Sequence, residues 1–443
     1  MKYFLQLKLN SRIIFLVYSG NKKNCINMRY KIFILALLVS SSLYAQEVAR
    51  FIIKAGEKMT DSPVKVAVDG VDYNTDKGSL CLYELIGEKE VSVPCQLEPG
   101  HTASLWFILN EDSGKNSERR FVVKIEEGKR GKINGKFIRL EKKQSDLLFL
   151  SGEQPLLNYR FGVKYPPEGI NPLYRRSAYI HPLWSPGGQV LTRIQPPDHY
   201  HHYGIWGPWT KTHIGDREID FWNLALGQGT VRFSAFLSQI EGNVYTGFRA
   251  LQQHIDFGAK GEDQVAMNEI LDMRIWNVSG DICIIDYTTT INCPLEKGIM
   301  LDAYRYGGGI GFRATEEWTR DNSTVLTSDG KSRDEADGSF ARWCIVEGES
   351  SAGSGRSGIL FLSHPSNRMH PEPMRVWPPD ANGGRGDLFF EFVPIRHQSW
   401  KLESGSDYTL KYRMVVFDGE MDADEAEKYW NGFASLPAVE FLK

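Results

Sequence analysis

The chain has 443 residues, 42% of them hydrophobic and 24% charged, and a formal net charge of −3 at pH 7. This length exceeds what one hydrophobic core usually holds, so two domains are expected. The near-balanced charge and the lack of a basic run exclude nucleic acid as an expected partner.

In chain order, the first pattern starts at Met28, which reads MRYKIFILALLVSSSLYAQ. Arg29 and Lys31 precede an apolar run over 32–39, and Leu43-Tyr44-Ala45 forms a cleavage site before Gln46, as in a secretory signal peptide. Met28 is then the expected start, and residues 1–45 form a signal peptide with an upstream extension. The apolar run at 13–18 is an alternative signal. No later run reaches the roughly 18 apolar residues of a transmembrane helix. The expectation is an exported protein, periplasmic or extracellular, with no membrane span after signal cleavage. Cys81/Cys95 and Cys283/Cys293 either close short loops in an oxidising compartment or are buried thiols.

Residues 46–145 read as a small β-sandwich domain, with strands expected at 51–53, 64–68, 91–93, 105–109 and 121–125. Turns are expected at Asp69-Gly70, Lys77-Gly78 and Pro99-Gly100. A polar, Lys-rich connector spans 126–143, within which 137–140 could itself be a strand. From 146 to 443 strand patterns dominate, at 147–150, 231–236, 283–291, 358–362, 388–393 and 408–417. Helical periodicity appears over 422–433, where Ala426, Tyr429, Trp430 and Phe433 share a face and Asp422 or Asp424 can cap. The fold class is therefore all-β: a large two-sheet sandwich carrying the site, the small N-terminal sandwich and one short C-terminal helix.

Chemistry concentrates at 179–222, with His181, His199, His201, His202 and His213 among the ten histidines and Trp184, Trp206, Trp209 and Trp222 among the eleven tryptophans. In extended backbone His199 and His201 point one way and His202 the other. His199 and His201 are thus the candidate ligands of a possible divalent metal, with Asp216, Glu218, Asp220 or His213 completing the set. His201 or His202 could equally bind substrate or move a proton, or be core histidines satisfied by hydrogen bonds.

The segment 363–377 adds His364, Arg368, His370 and Arg375, with forked guanidinium donors suited to a carboxylate or to ring hydroxyls. The bland alternative is a proline-stiffened loop with surface ion pairs. Glu391 stands inside the apolar strand 388–393, where burial raises a carboxyl toward the range of a general acid or base, unless an Arg pairs with it. Arg305-Tyr306-Gly307-Gly308-Gly309 sets Arg and an aromatic beside glycine but lacks the Gly-Lys-Ser/Thr of a phosphate loop.

The motifs YIHPLWSP (179–186), DHYHHYGIW (198–206), DFW (220–222), YGG (306–308), ARWC (341–344), His364-Pro365 and Arg375-Val376-Trp377 resemble the PmoA family of bacterial proteins over about 147–434. That family takes its name from a methane monooxygenase subunit, an integral membrane protein. This chain lacks such spans, so the methane activity does not carry over. A fainter similarity is to the galactose-mutarotase-like supersandwich proteins, which pair a histidine acid with a late glutamate base. It implies such roles for His364 and Glu391, although Pro394 stands three residues after the glutamate rather than next to it.

Together these readings predict an exported carbohydrate-active enzyme, an epimerase, lyase or hydrolase working by acid/base chemistry on a small-molecule or oligosaccharide substrate. His202, His364 and Glu391 are its expected catalytic residues. His201, Trp206, Trp209, Asp220, Arg368, His370 and Arg375 are expected to bind substrate. The alternatives are a non-catalytic glycan-binding protein and a metal-dependent oxygenase.

Overall fold

The computed structural model describes residues 2–9, 12–19, 45–68, 78–100, 103–110, 113–126, 137–258, 261–278, 280–352 and 355–442. The signal-peptide pattern at 28–44, the turn residues Asp69, Gly70 and Lys77, and most of the polar connector lie outside them. The alternative signal at 13–18 falls in the strand Arg12–Ser19, paired with Lys2–Leu9.

Two wide antiparallel sheets dominate. One has nine strands, in the order Ile138–Lys142, Asp146–Ser151, Gln154–Arg160, Tyr179–Leu183, Ile205–Trp206, Ile310–Arg313, Phe389–Phe392, Glu372–Val376 and Phe340–Ala341. The other has eight and is built from longer strands, among them Gly229–Ile240, Tyr245–Asp256, Gln264–Trp276, Ile282–Asn292 and Asp407–Asp418. Alternation explains why they stack: Phe390 and Phe392 face Phe361, Met414 and Val416 in the shared core, while Phe389 turns outward. Burying these inner faces is the main stabilising term.

The N-terminal strands form the expected small sandwich, a five-stranded sheet over a three-stranded one, with Phe51, Leu82, Phe107 and Phe121 between them. The domain boundary is more intimate than linear order suggests. The C-terminal strand Ala438–Leu442 leaves the large domain and pairs with Ala45–Ala55 in the small one. The possible strand in the connector is real: Ile138–Lys142 is the first strand of the nine-stranded sheet. Between the domains, Gln96 Oε1 accepts from the amides of Val244 and Tyr245, both at 3.0 Å, and Arg274 pairs with Glu98 at 3.0 Å.

The helix runs Ala423–Ala434, and its cap is Asp422, whose Oδ1 accepts from Glu425 N at 2.8 Å. Ala426, Tyr429 and Phe433 are buried. The five described cysteines are buried thiols and form no disulfide.

Gly204 fixes how the histidine segment meets the sheet. Its φ is +62°, and a Cβ there would stand 2.2 Å from the carbonyl oxygen of Ile180. Gly204→Ala is therefore expected to cost about 2 kcal/mol, read as a lower urea midpoint at unchanged slope.

Candidate functional site

Strand register brings the site together on the outer face of the nine-stranded sheet. Arg313 lies opposite Phe389, and Trp377 N donates to Phe389 O at 3.0 Å. In the next row Glu391 lies between Gly311 and Arg375. Directly opposed residues share a face, so Arg313, Phe389, Glu391 and Arg375 all look outward.

Loops build walls above this floor around a cavity of about 420 Å3. Its aromatic lining is Trp222, Tyr306, Trp377 and Phe389, and its polar lining is His199, His201, His202, Asn223, Arg305, Arg375 and Asn382. That size lies within the ~300–1,000 Å3 of small-molecule sites.

The histidine segment is not extended, which corrects the alternating-strand expectation. His199 N donates to Pro196 O at 2.9 Å and His202 N to His199 O at 3.0 Å, so two successive turns follow the Pro196-Pro197 pair. Turns erase the two-residue alternation and put all three imidazoles together. Ring centroids are 4.7 Å apart for His199–His202, 4.9 Å for His201–His202 and 5.4 Å for His199–His201. Their candidate ligand nitrogens all lie within 4.8 Å of one another. The expected pair His199/His201 is thus completed by His202. Of the carboxylates and His213 expected to complete it, His213 pairs with Asp302 and Glu218 with Lys211.

Burial pushes the His201 pKa down to about 3, with His199 adding repulsion, and drives His202 well below its ordinary value. Both rings are neutral at pH 7. Asp198 Oδ2 bonds His199 Nδ1 at 2.7 Å and also accepts from Arg313 (3.0 Å) and Asn382 (2.8 Å). Burial alone would raise the Asp198 pKa; the His199 hydrogen bond and the Arg313 charge override it and hold it well below the usual carboxylate range.

Several expected site residues lie behind the lining. Glu391 is fully buried, and its Oε1 accepts from Gly307 N at 2.8 Å. Burial raises its pKa well above normal; its carboxyl pins the loop bearing Arg305 and Tyr306 and is not part of the cavity lining. Asp220, also buried, accepts from the amides of Trp222 (2.8 Å) and Asn223 (2.7 Å) and so positions two lining residues. Trp206 packs behind His202 at 5.5 Å. Trp209 belongs to the main core beside Trp400 and is no stacking platform.

Three others lie elsewhere, because the strand Arg356–Ser363 that leads to them belongs to the eight-stranded sheet. His364 Nδ1 accepts from Ser366 N at 3.1 Å, and its ring meets Phe433 edge-on. His370 stacks on Trp430 at 6.1 Å. Arg368 lies over Trp400 and donates to Ser399 O at 2.9 Å. The expected catalytic trio is therefore not assembled. Of the named residues only His199, His201, His202 and Arg375 line the cavity.

Trp222, Arg305, Tyr306 and Trp377 stood in motifs noted in the sequence but were given no site role, and Asn223, Asn382 and Phe389 were given none either. The signal for Tyr306 and Trp377 was their position in Arg-aromatic stretches beside Gly or Pro; for Asn382 there was none.

Against protein-family models, residues 146–431 match the one described as "Family of unknown function (DUF6807)". No curated protein matches the chain. Among the described residues, no helix is long and apolar enough to cross a membrane.

Proposed function

We propose, for a chain that belongs to the DUF6807 family of unknown function, that the cavity binds and transforms a small oxygen-rich molecule of the sugar or sugar-acid class. The observation that carries this reading is the lining itself. Four aromatic rings offer flat apolar walls, and Arg305 and Arg375 bring guanidinium donors to the same space, while Asn223 and Asn382 spend their amide N–H groups on Asp220 and on Asp198 and Asp387. Rings that stack on C–H faces and forked donors that take hydroxyl or carboxylate oxygens are complementary demands of one ligand. No carboxylate is part of the lining, and Arg305, unlike Arg375, which pairs with Asp337 at 2.7 Å, forms no ion pair among the described residues, which favours an acidic sugar over a neutral one.

The acid/base scheme changes accordingly. Proton transfer from Glu391 or His364 would require contact with the ligand, and neither residue touches the cavity. Of the imidazoles facing it, those of His201 and His202 are uncharged at pH 7, and His201 is only weakly basic at a pKa of about 3. Such rings accept hydrogen bonds from sugar hydroxyls and orient them. They need an electrophilic helper to abstract a proton at neutral pH. Export remains part of the proposal, resting on the basic-then-apolar pattern at 29–46.

Calorimetric titration of hexoses, hexuronic acids and their disaccharides tests the reading. At least one hexuronic acid should bind, and Trp377→Ala should weaken it about tenfold, the loss of roughly 1.4 kcal/mol of stacking. Uniform lack of binding, or an unchanged affinity in the variant, would sink it. Chromatography of the bound sugar after incubation separates an enzyme, which alters it, from a binding protein, which does not.

A further inference from the structure

We propose that His199, His201 and His202 bind one divalent transition-metal ion, Zn2+ foremost, with its open coordination face toward the cavity. Three imidazole rings meet with centroids 4.7–5.4 Å apart, and their candidate ligand atoms lie within 4.8 Å of one another. Among the described residues no side-chain hydrogen bond joins any two of the rings; the one bond between these residues is backbone, from His202 N to His199 O. Rings packed this way for structure alone would turn a nitrogen toward a partner. Instead His202, only 1% exposed, leaves Nδ1 buried without a hydrogen-bond partner. Three nitrogens on one tetrahedral ion stand roughly 3.3 Å apart at metal–nitrogen distances of about 2.0–2.1 Å. Small side-chain rotations close the present spacing.

The surroundings are those of a metal ligand set. Asp198 holds His199 through Nδ1 at 2.7 Å, which leaves Nε2 as the donor. Ligating histidines are commonly fixed by a carboxylate in this way. Asp198 is in turn fixed by Arg313 and Asn382. An all-imidazole set suits Zn2+ and its neighbours and is a poor site for Mg2+ or Ca2+, which demand oxygen. Around the set, Trp222, Trp377 and Phe389 pack at 4.8–5.9 Å from the rings. They form a shell that limits water and leaves the cavity side for exchangeable ligands.

This inference deepens the sugar reading, because an ion here would meet the ligand's oxygens and polarise them, taking over the oxygen contacts assigned above to the imidazoles. Its test does not need the sugar. Chelator-stripped protein is titrated with Zn2+ against a chromophoric competitor, and with Co2+ followed by visible absorption. One equivalent of each is expected, with the absorption of a four-coordinate Co2+. His199→Ala with His201→Ala should lower Zn2+ affinity at least a hundredfold, and Asp198→Asn should lower it about tenfold. Folding of each variant is checked by circular dichroism, and His201→Ala alone carries the test if the double variant does not fold.

Substoichiometric binding, or affinity unchanged in the histidine variants, overturns the metal site. Hexuronate binding retained by stripped protein in that case leaves the sugar reading standing. One equivalent of metal without any sugar affinity leaves the metal site standing alone.

Discussion

Arg313→Met should cost about 3 kcal/mol of folding stability and weaken ligand binding at the same time. The guanidinium is 1% exposed, donates to Asp198 at 3.0 Å, stands 3.8 Å from Asp387 and lies 4.7 Å over the Trp377 ring. Burial pulls its pKa down to about 10, and Asp198 opposes that pull, so it stays charged at neutral pH. Removing one partner of a buried ion pair costs ~3–5 kcal/mol, mostly because the other charge is stranded. The lower end applies here, since Asp198 keeps 31% of its side chain exposed and Arg193 lies 3.9 Å from Asp387. Urea unfolding gives the number. A double variant, Arg313→Met with Asp198→Asn, should recover part of the loss, as coupled partners do. A single-variant cost below about 1 kcal/mol would show that the pair does not support the cavity floor.

Glu372→Gln should remove a pH dependence that the native protein carries between pH 4.5 and about 7. Glu372 is fully buried in the sandwich and accepts from Ser363 Oγ at 2.5 Å, Asn367 Nδ2 at 3.0 Å and Tyr412 Oη at 2.8 Å. Burial pushes its pKa up to about 7, with the three hydrogen bonds holding it back from going higher. Between pH 4.5 and about 7 the unfolded chain has lost this proton and the folded chain still holds it. Where the folded state binds more protons, stability falls as pH rises. This group's contribution is thus fully present below pH 4.5, declines by about 3 kcal/mol up to pH 7 and is flat above. The unfolding free energies of native protein and Glu372→Gln should diverge by that amount across the window. Parallel curves would mean that the carboxyl is ionised throughout.

The strands were legible where apolar residues run unbroken or alternate cleanly, as at 283–291 and 408–417, observed as Ile282–Asn292 and Asp407–Asp418. The helix was legible because Ala426, Tyr429 and Phe433 repeat at helical spacing behind an Asp cap. The site was half legible. Five histidines in one stretch drew attention to a segment of which three, His199, His201 and His202, line the cavity, but the side each faces depends on two turns that local pattern did not reveal.

His364 and Arg368 misled because sequence chemistry carries no label for which sheet a strand joins. Glu391 misled differently. Its face was readable, but the Gly307 loop that covers it comes from more than eighty residues upstream. Nothing in the neighbourhood of Trp377 announces that register will set it beside His199, 4.8 Å away.

Because Ala438–Leu442 zips onto Ala45–Ala55, the small domain cannot reach its final form during synthesis. Its first strand leaves the ribosome early and must wait, with a row of amides and carbonyls exposed, until nearly the whole chain has followed. Such a row is a template for pairing with other chains, so the interval is when the nascent protein most needs a chaperone's cover. It also means that cutting the chain between the two domains yields neither one whole.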